Sequence, residues 1–111
     1  MNVRRMGMVI AVRREKISLC KDLHAHPWPE MNAALRSANI RNYSIYLREP
    51  ENLLFDCWQH PGTDFPGDMK RLGDFATTKK WLALTGPCQA KLDSAGPDEW
   101  RAAMEEVYRL D

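Results

Sequence analysis

The chain opens on a compact apolar run, Met6 to Val12 (MGMVIAV), set between the basic pairs Arg4-Arg5 and Arg13-Arg14. Its shortness, its β-branched end and its lack of polar alternation predict a buried strand. From Arg14 to His24 the period changes. Ile17, Cys20 and His24 fall at helical spacing, with Leu19 and Leu23 on an adjacent stripe, so a helix is expected there. Pro27 disfavours helical geometry at His26 and ends it. Pro29 suits the first turn of a second helix, with Trp28, Met31, Leu35 and Ala38 as its apolar stripe. Glu30 sits at the positive N-terminal end, and Asn39 suits a left-handed stop.

The period then drops to two. Ile40 to Leu47 (IRNYSIYL) places Tyr43, Ile45 and Leu47 on one face and Asn42, Ser44 and Tyr46 on the other. Arg48 to Asn52 reads as a turn, and Leu53 to Gln59 (LLFDCWQ) as the return strand of a hairpin. Both faces of that strand carry large apolar groups: Leu53, Phe55 and Cys57 on one, Leu54 and Trp58 on the other. A sheet with helices on one side only is polar on its second face. This one predicts a cover for that face, and a partner sheet is the economical choice.

After a loop from His60 to Asp64, Phe65 to Asp74 reads as a helix through Met69 and Leu72. Thr77 to Thr85 reads as another, capped by Thr77 or Thr78, with Trp81 and Leu84 inward and Gly86-Pro87 as its stop. Lys91 to Pro97 is a loop. The last segment fits two patterns: a helix through Trp100, Ala103, Met104, Val107 and Leu110, or a closing strand from Glu105 to Leu110. With the strand, the order is the ferredoxin-like βαββαβ plan.

At 111 residues the chain is of single-domain size, and residues 1–111 are read as one domain. Sixteen basic against fifteen acidic residues leave a net charge of +1, which gives no bulk attraction to nucleic acid or an anionic membrane. The three cysteines, Cys20, Cys57 and Cys88, show no CxxC spacing. They argue against a disulfide framework or a Cys-rich zinc site and fit a reducing, cytoplasmic setting. The apolar run near the start is followed by a basic pair rather than a small-residue cleavage site, so it does not read as a signal peptide. No stretch approaches the roughly 20 apolar residues of a membrane span.

Candidate chemistry centres on the histidines. His24 and His26 could share a metal only with a third ligand, and no suitably spaced partner stands out, so no metal is expected. His26 reads as a surface loop residue. His24 lies one turn after Cys20, on the same face, at a helix C-terminus that favours imidazolium. Such a group can give or take a proton, although spacing alone favours a structural or surface histidine. The four tryptophans and three tyrosines suit stacking on the C–H faces of a sugar beside a proton donor, although core packing is the expected role of most of them. There is no Gly-rich phosphate loop, GxSxG or HExxH, and the scattered acids show no glycosidase pair.

Several ordered motifs now align. His24-Ala25-His26-Pro27-Trp28-Pro29-Glu30 fits an H-x-x-x-W-P-E signature. It is followed by Asn42-Tyr43-Ser44-Ile45-Tyr46-Leu47, Glu51-Asn52-Leu53-Leu54-Phe55, Lys80-Trp81-Leu82 and Thr85-Gly86-Pro87-Cys88-Gln89. From about Arg5 to Gln89, with Val107 to Leu110 as a closing strand, the chain resembles the L-rhamnose mutarotase family, including its relatives associated with L-fucose.

The resemblance implies an α+β, ferredoxin-like dimeric α/β barrel: an antiparallel sheet with helices on one face, packed sheet-to-sheet on a second copy. It favours the strand reading of the C-terminus. It implies a monosaccharide substrate, a 6-deoxyhexose whose α and β anomers are interconverted by acid–base ring opening, with no cofactor, metal, nucleic acid or membrane partner. On the motif match His24 takes the proton-donor position, Tyr43 a substrate contact, and Trp81 the first place of a tryptophan pair. Cys20 stands where the rhamnose enzymes have tyrosine, and Leu82 where they have the second tryptophan. Both departures imply a wider, less polar pocket and leave the choice between L-fucose and L-rhamnose open. A non-catalytic dimeric sugar-binding module of the same fold is the alternative. An unrelated barrel enzyme that uses His24 and His26 differently is a third reading.

Overall fold

The fold is taken from a computed structural model, which describes residues 3–111. β1 (Arg4–Val12) runs through the centre of an antiparallel sheet. β3 (Leu53–His60) pairs along it from Arg4 opposite His60 to Ala11 opposite Leu53, and β2 (Arg41–Arg48) forms the edge beyond β3. On the other side of β1, β4 (Gln89–Ala90) pairs with Ala11 and Val12, and β5 (Ala102–Ala103) with Met8 and Val9. The order β2-β3-β1-β4 is the ferredoxin-like plan.

Four helices supply the crossovers: α1 (Ile17–Ala25), α2 (Pro29–Ser37), α3 (Phe65–Asp74) and α4 (Ala76–Thr85). They cover one sheet face. On it Ile10, Val12, Leu54, Asp56, Trp58 and His60 are buried, and Ile10, Val12 and Leu54 join Cys20 and Cys88 in the core. Val9, Ala11, Leu53 and Phe55, on the opposite face, are only half-buried, and Cys57 is exposed. None of the described helices is long and apolar enough to cross a membrane.

Local chemistry explains the boundaries. Asn39 follows α2 at a φ of 64°, the left-handed geometry its short amide side chain tolerates. Asp64 caps α3, accepting a hydrogen bond from the Gly67 N–H at 3.1 Å. The expected threonine cap of α4 is not made. Phe75, in extended geometry, is shared as the C-cap of α3 and the N-cap of α4, with no side-chain cap bond. Thr78 instead lies buried within the helix, and Leu84, expected inward, is 45% exposed. The buried stripe of α4 runs Thr78, Trp81, Thr85, because the apolar count misled where polar residues face an interior.

β2 carries one extra residue: Arg41 opposes Gln59, yet Ser44 opposes Cys57. Asn42, at a φ of 53°, takes up this bulge. Bulges bend a strand and re-aim its side chains, and this one immediately precedes Tyr43. At the far end of β3, buried His60 donates Nε2–H to Asp68 of α3 at 2.8 Å. The same carboxylate accepts from Asn39 at 2.8 Å and Arg71 at 3.0 Å. That cluster ties the end of α2, the end of β3 and α3 together.

The C-terminal expectation is corrected. Neither a helix through Trp100 to Leu110 nor a strand from Glu105 to Leu110 forms. Strand pairing is confined to Ala102–Ala103 and ends with Met104 N–H donating to Gly7 O at 2.8 Å. Beyond it Val107, Tyr108 and Leu110 are 86%, 77% and 81% exposed. A strand needs a neighbour to bond to, and no free strand lies beside this segment within one chain.

Candidate functional site

Between the helix layer and the buried sheet face lies a cavity of about 560 Å³. That is within the roughly 300–1,000 Å³ of small-molecule pockets. His24 from the end of α1, Trp81 and Leu82 from α4, and Tyr43 from β2 all line it. Met31, Leu35 and Trp58 add apolar wall, while Asp56, Thr78 and Arg101 add polar groups. The expected residues that meet here are therefore His24, Tyr43, Trp81 and Leu82.

His24 is fixed from both sides. Its Nδ1 lies 2.7 Å from the Cys20 carbonyl oxygen, one turn back. A carbonyl only accepts, so Nδ1 carries the hydrogen and Nε2 is the nitrogen left for proton exchange. Trp81 meets the imidazole edge-to-face at 5.9 Å, and Trp28 braces Trp81 edge-to-face at 5.1 Å. The helix end that places His24 is set by Pro27, and the same turn brings Trp28 into that stack.

Cys20, placed by the motif match among substrate contacts, does not line the cavity. It is 4% exposed and packs in the core. Its thiol lies 3.6 Å from His24 Nδ1, and its carbonyl holds the ring. Burial pushes the thiol above its ordinary value, with Cys88 adding and Arg101 opposing, so it stays protonated. His26 is exposed and bonds only the Asp22 carbonyl, and His60 is committed to Asp68. Among the described residues no group of three or more His, Cys, Asp or Glu is gathered for a metal.

The polar side of the cavity was not singled out from the sequence. Asp56 is 2% exposed. The Tyr43 hydroxyl donates to its Oδ2 at 3.0 Å, and Arg101 Nη1 pairs with the same oxygen at 3.4 Å. Asp56 Oδ1, Arg101 Nη1 and Thr78 Oγ1 are buried without a hydrogen-bond partner. The Tyr43 ring is 36% exposed and stacks on Trp58, with planes 11° apart, while its hydroxyl end reaches inward to Asp56. Burial of that end raises the phenol above its ordinary value, Asp56 adds to the rise, and Arg101 opposes it, so the group stays neutral. One signal was available: Asp56 stands on the inward alternation between Leu54 and Trp58, where an acid is expensive. Arg101 carried none, because its segment had no settled structure.

Comparison with known proteins gives the family and the fold. The family profile described as L-rhamnose mutarotase matches residues 5–110. An L-rhamnose mutarotase of Ligilactobacillus salivarius is 31% identical over 86 residues, 76% of this chain and 73% of its own. One from Lactiplantibacillus plantarum is 27% identical over 110 residues, covering 96% and 98%. The crystal structure of an L-rhamnose mutarotase from Formosa agariphila superposes with a TM-score of 0.75 at 22% identity, over 97% of this chain and 99% of that one. At that identity the superposition establishes the fold.

Proposed function

The chain belongs to the L-rhamnose mutarotase family, sugar-anomer isomerases, and on that footing we propose that it interconverts the α and β pyranose anomers of a 6-deoxyhexose, L-rhamnose or L-fucose. The reaction class is that of an aldose 1-epimerase. The observation that carries this reading is His24, locked by the Cys20 carbonyl with Nε2 free, on the wall of the same cavity as Tyr43 and Trp81.

The chemistry follows from that placement. In the imidazolium form, Nε2–H of His24 protonates the ring oxygen as the C1–O5 bond breaks, while a base takes the hydrogen from the C1 hydroxyl. The open aldehyde turns about C1–C2 and recloses on its other face. Trp81 offers an aromatic wall for the sugar ring, and Tyr43 an oxygen that accepts from one of its hydroxyls. Leu82, at the second tryptophan position, gives neither an indole N–H nor a flat stacking face.

Saturation-transfer NMR between the two anomeric protons tests the reading. The protein should speed α/β exchange of at least one deoxyhexose, and His24→Ala should lose about 10²–10⁴ of that rate. Unchanged exchange in His24→Ala would refute the assignment. Binding with no exchange in the native protein would favour the non-catalytic module instead. The homodimer stands as part of the proposal: the half-buried Val9, Ala11, Leu53 and Phe55 face and the exposed Val107, Tyr108 and Leu110 are apolar surface that a second copy would cover. Sedimentation at micromolar concentration should give twice the chain mass. The three free thiols suit a cytoplasmic setting.

A further inference from the structure

We propose that the base of the ring-opening step is the Tyr43 hydroxyl, made an acceptor by Asp56 behind it, a carboxylate that Arg101 holds in place. The inference rests on the mutarotase reading and adds the group that works opposite His24.

Three observations support it. First, the Tyr43 hydroxyl has one hydrogen, and it is given to Asp56 Oδ2 at 3.0 Å. Its lone pairs are then what it offers the cavity, so it accepts from a sugar hydroxyl and cannot donate to one. Second, Asp56 occupies an inward position between Leu54 and Trp58, where an apolar residue would pack without desolvating a charge. Its Oδ1 and Thr78 Oγ1 are buried with no hydrogen-bond partner, and Arg101 Nη1 has only its 3.4 Å ion pair with Asp56, and all three residues line the same cavity. Unpaired buried polar atoms are rare, and a cavity wall that keeps them is built for polar contents. Third, His24 belongs to the helix layer, whereas Tyr43 and Asp56 belong to the sheet layer. A ring lying between the layers meets one group from each.

The proton account balances. On opening, the O1–H bond breaks and that hydrogen joins the Tyr43 oxygen. The hydrogen already on Tyr43 passes to Asp56, which becomes a neutral acid. The O1 electron pair forms the C1=O1 double bond, the C1–O5 bond breaks, and O5 takes the Nε2 proton of the His24 imidazolium. Carboxylate and imidazolium are neutralised together. Closure on the other face of the aldehyde reverses each transfer and restores both charges. Tyr43 meets the sugar; Asp56 acts through it and is a positioning residue.

Asp56→Asn, Tyr43→Phe and the double variant test this by anomeric saturation transfer, with sugar affinity followed by tryptophan fluorescence and folding by circular dichroism. Asp56→Asn should lose about 10²-fold in exchange rate with affinity within about threefold of native. The double variant should be no slower than the worse single one, because the two groups act as a unit. A loss confined to the exchange rate, with affinity kept, is a split that a merely structural acid would not cause. A folded Asp56→Asn within threefold of the native rate, or losses that multiply in the double variant, overturns the inference while leaving His24 in place. No exchange by the native protein on either deoxyhexose overturns the mutarotase reading, and this inference with it.

Discussion

Replacing Arg101 by methionine should destabilise the protein more than replacing Arg101 and Asp56 together. The two charges lie 3.4 Å apart, with side chains 19% and 1% exposed. At an effective dielectric of 20 that separation corresponds to about 5 kcal/mol of attraction. Against it stands a desolvation penalty of several kcal/mol per buried ion, so the net contribution to stability is close to zero. Removing only the guanidinium leaves the carboxylate buried with nothing but the Tyr43 hydroxyl, at a cost of about 3–5 kcal/mol. The partial exposure of Arg101 puts the expected value near the lower end, about 3 kcal/mol. In the double variant Arg101→Met, Asp56→Val the orphaned charge is gone, and valine suits a strand interior. Water in the cavity can serve the Tyr43 hydroxyl. Recovery of about 1–2 kcal/mol over Arg101→Met is expected, with sugar exchange abolished. The assay is urea unfolding at one fixed protein concentration, because any dimerisation makes stability concentration-dependent. A double variant less stable than Arg101→Met would refute the reasoning: the pair would then hold the fold together, and its retention would say nothing about catalysis.

Four further outcomes are expected. The hydrogen bonds from Asn39, His60 and Arg71 hold the Asp68 carboxyl down at about 2, so its contribution is complete above the ordinary carboxylate range near 3.9 and is lost as pH falls from there through about 2. Melting temperature against pH should drop across that window, and Asp68→Asn should be less stable at neutral pH with a flatter acid limb; an unchanged limb would count against the cluster. Gly62→Ala places a Cβ 2.9 Å from His60 Cε1 and 3.0 Å from Asp68 Oδ2, which should cost about 1–3 kcal/mol in urea unfolding, and a neutral result would mean the loop yields freely. Leu82→Trp adds an aromatic face at a position lining the cavity and should shift exchange preference toward L-rhamnose; equal rates before and after would dissociate Leu82 from sugar choice. Cys20→Tyr, by contrast, forces a ring into the core and should lower stability by about 1–3 kcal/mol, read in the same urea assay.

Periodicity located the strands and helices up to Thr85, because there each element buries one stripe or one face and the spacing of apolar residues records it. It also placed the turn before β3 and the left-handed stop at Asn39, since these depend on local backbone chemistry. It failed for the cap and inward face of α4, whose interior side is built on Thr78 and Thr85, and for the tail, where a strand would require a partner that the sequence pattern cannot display. The motif order by itself points to His24, Tyr43, Trp81 and Leu82. It misplaced Cys20, because one helical turn of separation says which face two residues share and leaves open which of them meets the cavity.

What the amino-acid order determined alone was thus local: element types, the helix end that carries His24, and an acid out of place in an apolar strand. Only the tertiary structure decided that Asp56, Tyr43 and Arg101 meet, although they come from three strands or their flanks separated by up to 58 positions. Hydrogen bonds and ion pairs act over a few ångströms of space, whereas sequence patterns carry information over a turn of helix or a strand pair. The bulge at Asn42 connects the two levels: one extra residue in β2 helps direct Tyr43 onto a carboxylate whose partner guanidinium arrives from the far end of the chain.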